Sequence, residues 1–301
     1  MTPGTAAGPA APPTGWRLWV AGARPRTLGA GIAPVLVGTA AATLDGPVVE
    51  WRVGAALVVA LAFQVGVNYA NDYSDGVRGT DAVRAGPVRL TASGLASPHA
   101  VKRAAIASFA TGATVGAVLA LVVDSRLLVV GAVALVAGAT YSGGPRPYAS
   151  AGLGELMVLV FFGGVATTGS AYVQHETVPA AAWWGALAVG LVACGIMLAN
   201  NIRDVPTDRD AGKRTLAVRV GAARARRLYV ACLAGAYVAV AIVTVLHPWA
   251  ALAFVSAPLA WRPARLVVTG RAPPQLVAAL VGTARLEVVL AALLAVGLVV
   301  A

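Results

Sequence analysis

Apolar runs about as long as a bilayer is thick recur along this chain, and nothing else in it narrows the possible folds so far. Nine can be marked, at residues 27–44, 52–71, 101–123, 127–142, 153–173, 179–202, 226–246, 248–268 and 284–301. A helix needs ~20 residues to cross the hydrocarbon core. Lipid offers no partner for a backbone amide, so such runs have to close their hydrogen bonds internally as helices. The fourth run is short and the eighth is broken by proline. The expected fold is an all-α membrane protein with nine transmembrane helices in a single bundle. Residues 1–15, almost all Ala, Gly, Pro and Thr, are expected to form a disordered tail. They lack the basic stretch, apolar core and cleavage site of a signal peptide. Residues 16–301 are expected to form one polytopic domain, entered through an amphipathic approach at Trp16 to Arg26 whose Trp and Arg side chains suit the membrane interface.

Composition agrees with this class. The chain is 58% apolar and 12% charged, with mean hydropathy +0.78, where a soluble domain is nearer half apolar and a quarter charged. A net charge of +11 would point to nucleic acid in a soluble protein. Here it records orientation. With the N-terminus in the cytoplasm and nine crossings, all of the 23 Lys and Arg residues except Arg52 and Arg126 fall in cytoplasmic segments, as the positive-inside rule requires. The bilayer is therefore the expected partner, nucleic acid is not, and the expected location is the cell membrane. Cys194 and Cys232 lie inside apolar runs and read as small packing residues.

Against this background the acids stand out. Six of the twelve lie in two short stretches: Asp72, Asp75 and Asp81 in NYANDYSDGVRGTD, and Asp204, Asp208 and Asp210 in NNIRDVPTDRD. Both stretches follow an apolar run, the second and the sixth, on the cytoplasmic side. The four-run interval hints at an internal duplication. If the second run stays helical to its end, Gln64, Asn68, Asn71, Asp72 and Asp75 share one face; in the sixth, Asn201, Asp204 and Asp208 do, with Asn200 beside them. One such Asp would be an ordinary solvated helix end. Two clusters of carboxylates and amides, with few acids elsewhere in the apolar runs, are more naturally functional. Closely spaced carboxylates repel unless a cation or proton joins them. An all-oxygen donor set without His or Cys suits Mg2+, which is usually shared with substrate phosphates. Arg78, Arg84 and Arg89 follow the first cluster, and Arg203, Arg209, Lys213 and Arg214 run through the second. Guanidinium forks and an ammonium beside Mg2+ make a diphosphate cradle.

These residues carry a resemblance. The chain resembles the UbiA superfamily of intramembrane prenyltransferases, whose nine-helix bundle bears NDxxDxxxD and DxxxD motifs on helices two and six. Here the motifs correspond to Asn71, Asp72, Asp75 and Asp81, and to Asp204 and Asp208. The longer step from Asp75 to Asp81, and the blocks GPVRLTASGL (Gly86–Leu95), YSGGPRPY (Tyr141–Tyr148), GLGE (Gly152–Glu155) and NNIRDVPTDRDAGKRTLAVRVG (Asn200–Gly221), resemble the branch that prenylates 1,4-dihydroxy-2-naphthoate. The similarity runs from about Trp19 to Gly221; beyond residue 226 only the helical outline matches. The resemblance implies transfer of a polyprenyl group from polyprenyl diphosphate to that aromatic acid, with loss of CO2, giving demethylmenaquinone.

It implies Mg2+, with Mn2+ as a substitute, held by Asp72, Asp75, Asp81, Asp204 and Asp208. It implies diphosphate contacts from Asn68, Asn71, Arg78, Asn201, Arg203, Lys213 and Arg214. Tyr148 is expected beside the reacting centre, shielding the allylic cation through its ring face or holding the acceptor; an interfacial tyrosine is the plainer account of it. Glu155 reads either as a polar partner at the site or as a helix N-terminal charge. The competing functions are a UbiA-type enzyme with another acceptor and, from a different class, a cation-coupled transporter. Against the transporter, the acids gather at one membrane face and not at the midplane.

Overall fold

Helices occupy all nine anticipated segments in a computed structural model that describes residues 13–79, 88–144, 147–270 and 272–301. We label them with two short additions: α1 Trp16–Ala23, α2 Gly29–Ala42, α3 Glu50–Arg78, α4 Pro98–Val122, α5 Leu127–Ser142, α6 Gly154–His175, α7 Ala180–Asp210, α8 Leu216–Val220, α9 Ala222–Leu246, α10 Pro248–Thr269 and α11 Pro273–Val299. Among the described residues there is no strand. Seven of these helices are long and apolar enough to cross a membrane; α2 and α5 are apolar but shorter, at 14 and 16 residues. The chain is a multi-pass membrane protein. Most of the expected tail, residues 1–12, lies outside the described residues.

Three expected boundaries move. The second and sixth apolar runs end near 71 and 202, but α3 continues to Arg78 and α7 to Asp210, so Asn71, Asp72 and Asp75 are helical, the second motif is helical throughout, and Asp210 ends a helix instead of following one. Hydropathy falls where the motif begins; the hydrogen-bond ladder does not. Gly79, with φ 72°, ends α3 in the left-handed conformation glycine tolerates. The last helix begins at Pro273, eleven residues ahead of the apolar run, because the Pro273–Pro274 pair suits a helix start.

The densest packing surrounds α7. One apolar core joins it to α2, α9, α10 and α11 through Val37, Val192, Leu198, Tyr229, Val240, Leu290 and Leu294, all buried. Inside it, the hydroxyls of Tyr229 and Thr283 share a hydrogen bond of 2.6 Å between α9 and α11. On the other side, α3, α4 and α5 pack on one another, with a small cluster of Tyr69, Leu90, Val101 and Ala105 beneath α1. Between these halves lies a cavity of about 1110 Å3.

Candidate active site

The cavity runs nearly the length of the bundle. At one end it is lined by Arg24, Asn68, Asn71, Tyr148, Asn200 and Arg203; at the other by Ala56, Leu119, Leu127 and Val173. The polar end is where α3 and α7 finish, so the two motif helices deliver their last turns to the same place.

Arg203 is the best-held group there. It is 7% exposed. Its Nε and Nη2 each donate to Asp204, both at 2.7 Å, and Nη2 also donates to Asn200 Oδ1 at 2.9 Å. A guanidinium fixed by a fork of this kind is a preorganised cation on the cavity wall. On α3, Asn68 donates to the Ala23 carbonyl at 2.9 Å, fastening the end of α1 beside the cavity. There Arg24 takes φ 57°, a conformation uncommon for a residue with a side chain.

A lysine links the two motifs. Lys213 Nζ, in the turn after α7, donates to Asp75 Oδ1 at 2.8 Å. Asp72, Asp75, Asp204 and Asp208 are all buried, at 1–6% exposure. Buried carboxylates need partners: Asp72 has backbone amides, Asp75 has Lys213, and Asp204 has Arg203 and the Asn200 amide. Among the described residues no three acidic, His or Cys side chains come together closely enough to hold a metal. Two of the motif acids lie in ion pairs, Asp75 with Lys213 and Asp204 with Arg203. The donor chemistry still fits a hard divalent ion: the carboxylates and amide oxygens supply oxygen ligands, and Lys213 and Arg203 lie in ion-pair contact with Asp75 and Asp204.

Several expected site residues take other positions. Asp72 accepts the backbone N–H of Leu90 at 2.8 Å and of Thr91 at 2.9 Å. Its carboxylate straps the segment after α3 back onto the helix, where Gly76 leaves Thr91 room: a Cβ at Gly76 would meet the Thr91 side chain at 2.5 Å. Arg78, expected on diphosphate, is exposed and donates to the carbonyls of Ser142 (3.0 Å) and Gly144 (2.7 Å), where the C-terminus of α5 attracts a cation. Asn201 faces away from the cavity and donates to Glu155 Oε1 at 2.9 Å, which makes Glu155 a polar partner of α7. Arg214 is exposed; its backbone N–H donates to the Ser150 carbonyl at 2.9 Å, tying the α7–α8 turn to the segment that carries Tyr148. Asp81 and Arg84 lie outside the described residues, as does Arg146.

Tyr148 lies between α5 and α6. It lines the polar end and meets Tyr141 edge to face, with ring centroids 5.5 Å apart and planes at 79°. Burial pushes its phenol up to about 12, so the hydroxyl keeps its proton at neutral pH.

Two sets of cavity residues escaped the sequence. Arg24 and Arg26 line the polar end but had been counted only as orientation charges. Phe161 and Phe162, adjacent in sequence, both line the cavity because α6 widens into π turns over Leu159–Val165. Such turns gather at functional sites. Hydropathy carries no trace of them.

With this geometry in view, comparison with known proteins settles the class: the chain belongs to the UbiA prenyltransferase family, which matches residues 31–280. The 1,4-dihydroxy-2-naphthoate octaprenyltransferase of Mycobacterium tuberculosis is 49% identical over 259 residues, covering 86% of this chain and 89% of that relative. Among solved structures, a UbiA homolog from Aeropyrum pernix K1 in its apo form superposes with TM-score 0.65 at 18% identity, covering 91% of this chain and 97% of that one. A UbiA homolog from Archaeoglobus fulgidus bound to GPP and Mg2+ superposes with TM-score 0.57 at 16% identity, covering 92% and 99%. At these identities the two structures speak to the fold alone.

Proposed function

We infer that this protein transfers a polyprenyl group from its diphosphate to 1,4-dihydroxy-2-naphthoate, releasing diphosphate and CO2 and giving the prenylated quinol of demethylmenaquinone. One observation carries the assignment. A chain 49% identical to a dihydroxynaphthoate prenyltransferase encloses a long apolar cavity whose polar end is built from both motif helices.

The geometry fits the chemistry residue by residue. The isoprenoid tail lies along the apolar walls and the diphosphate sits at the polar end, within reach of Arg203 and the amides of Asn68, Asn71 and Asn200. Asp75, Asp204 and Asp208, with Asp81, would hold Mg2+, for which Mn2+ can stand in; the ion neutralises charge on the leaving diphosphate when bound. Arg203 and Lys213 are fixed donors for the same developing charge. The allylic C–O bond breaks and its electron pair leaves with the diphosphate. The apolar walls keep water from the allylic cation, and the ring faces of Tyr148 and Tyr141 offer it electron density. The ring carbon bearing the carboxylate supplies the electron pair of the new C–C bond. The bond to the carboxylate then breaks, CO2 departs, and its pair returns to the ring. No base is required, consistent with a neutral Tyr148. Arg24 and Arg26 place positive charge where an aromatic carboxylate would enter.

The same reading takes α2 and α5 as membrane crossings, nine in all, within one catalytic unit of residues 16–301. It sets the motif ends of α3 and α7 in the cytoplasm, where the arginine distribution puts them. Purified protein incubated in detergent with dihydroxynaphthoate, a polyprenyl diphosphate and Mg2+ should yield the prenylated quinol by mass spectrometry. Absence of product with every acceptor and chain length tried would remove the assignment.

A further inference from the structure

A polyprenyl tail longer than the cavity has to leave it somewhere, and the structure offers a place at the end remote from the motifs. There α5 packs on α3 and α4 rather than on α6. The cavity reaches into the space between α5 and α6, lined by Leu128, Gly131 and Leu135 on one side and by Phe162, Ala166 and Gly169 on the other.

The two glycines are unlike their neighbours. Glycine in a membrane helix ordinarily lets another helix come close. Gly163 and Gly190 do this here: a Cβ on either would fall within 2.8 Å of the other's Cα. The cavity-lining Gly112 and Gly138 likewise accommodate the rings of Phe63 and Phe109. At Gly131 and Gly169 an added Cβ would meet nothing within 4 Å, and among the described glycines that line the cavity these alone have that property. Glycine weakens a helix, and no atom of the described residues requires it at either position. Helix geometry places Gly131 roughly 6 Å from the start of α5 and Gly169 roughly 9 Å from the end of α6, so both sit near the same end of the bundle.

One turn beyond Gly169 the gap is strapped. Tyr172 Oη donates to Asp124 Oδ2 at 2.5 Å and accepts from Arg126 Nη2 at 3.1 Å, joining the α4–α5 turn to α6. The passage is thus bounded by a polar strap on one side and left open by two glycines below it.

We propose that Gly131 and Gly169 are specificity-determining residues that keep the gap between α5 and α6 open for the distal isoprene units of a long donor. The proposal rests on the prenyl-transfer reading above. It predicts that a side chain at either position discriminates by donor length, since the diphosphate end of the donor reacts at the opposite end of the cavity.

The test uses the full chain in detergent, with geranyl diphosphate and octaprenyl diphosphate as alternative donors to dihydroxynaphthoate. Wild type is compared with Gly131→Leu, Gly169→Leu and a control, Gly54→Leu. Gly54 is exposed on α3, has equally open space and does not line the cavity. Gly131→Leu and Gly169→Leu should each lower the ratio of kcat/KM for octaprenyl over geranyl diphosphate by about 10-fold or more, the scale on which apolar pockets discriminate. The control should leave that ratio unchanged. Two positions on different helices guard against one variant failing to fold. An unchanged ratio in both variants, or equal loss with both donors, overturns the proposal while leaving prenyl transfer intact. A wild type that transfers neither donor overturns the functional reading itself.

Discussion

The two long motif helices are built to different standards. In the apolar stretch of α7, 72% of the residues are buried inside the protein, against 17% in α3. α7 is the axis of a packed core shared with α2, α9, α10 and α11; α3 is one wall of a chamber, with the cavity on one side of it. The motif residues follow suit. Arg203 on α7 is forked onto Asp204 and Asn200 within its own helix, whereas Asp72 and Asp75 on α3 hold partners from elsewhere, the Leu90–Thr91 backbone and Lys213. The difference teaches that one motif is rigid by construction and the other is completed by the loops that close over it. Substitutions can break this contrast, and their effects should rank as follows.

The largest effects fall on the carboxylates. Asp75→Asn and Asp208→Asn should each reduce kcat by about 10^2–10^3-fold, the scale for losing electrostatic stabilisation of a leaving group, while circular dichroism and elution volume stay as in wild type. Full activity in either variant would refute the Mg2+ role. Next comes the link between the motifs. Lys213→Ala leaves Asp75 buried without its ammonium, and removing one partner of a buried pair costs about 3–5 kcal/mol when nothing replaces it. Since Lys213 is only partly buried, the loss of stability should lie below that range. Activity should fall further than in Arg78→Ala, whose guanidinium donates to the Ser142 and Gly144 carbonyls.

On the scaffold side, Leu290→Ala should lower unfolding free energy by about 2–5 kcal/mol through the cavity it leaves in the core. The specific activity of the protein that remains folded should persist, as a heat-inactivation series followed by assay would show. A smaller effect is expected at Tyr148. Phe there keeps the ring face and should cost less activity than Ala, which removes it. The smallest is the pH response of the same residue. Burial holds the phenol up to about 12 against an ordinary 10. The folded state therefore retains the proton longer, and this contribution to stability is complete below about pH 10 and lost as pH rises towards 12. A denaturation series across that range, with Tyr148→Phe as reference, would reveal it.

What the sequence made legible were features with a period or a composition behind them. Lipid forces apolar runs into helices, so all nine segments could be placed. Acids are rare enough in such a chain that two clusters mark one end of the bundle. The partners of those acids were not legible. Nothing in the spacing of Asp72 says that its carboxylate will strap Leu90 and Thr91, because that bond depends on a loop returning eighteen residues later. Asn201 shares a helical face with Asp204 and Asp208, yet a neighbour on α6, Glu155, turns it from the cavity. Arg24 and Arg26 looked like orientation charges because the interface and the polar end of the cavity take the same residue type. The π turns that bring Phe161 and Phe162 to the wall are a local change of helical pitch, invisible to any count of apolar residues.

The central claim is that both motifs act on a diphosphate whose departure drives carbon–carbon bond formation at the carboxylated ring carbon. The most direct measurement is release of labelled CO2 from carboxyl-labelled dihydroxynaphthoate by the purified protein. The account predicts CO2 release that requires polyprenyl diphosphate, equals diphosphate release mole for mole, and is nearly abolished in Asp75→Asn. Label retained in a prenylated product, or released without the donor, would contradict it.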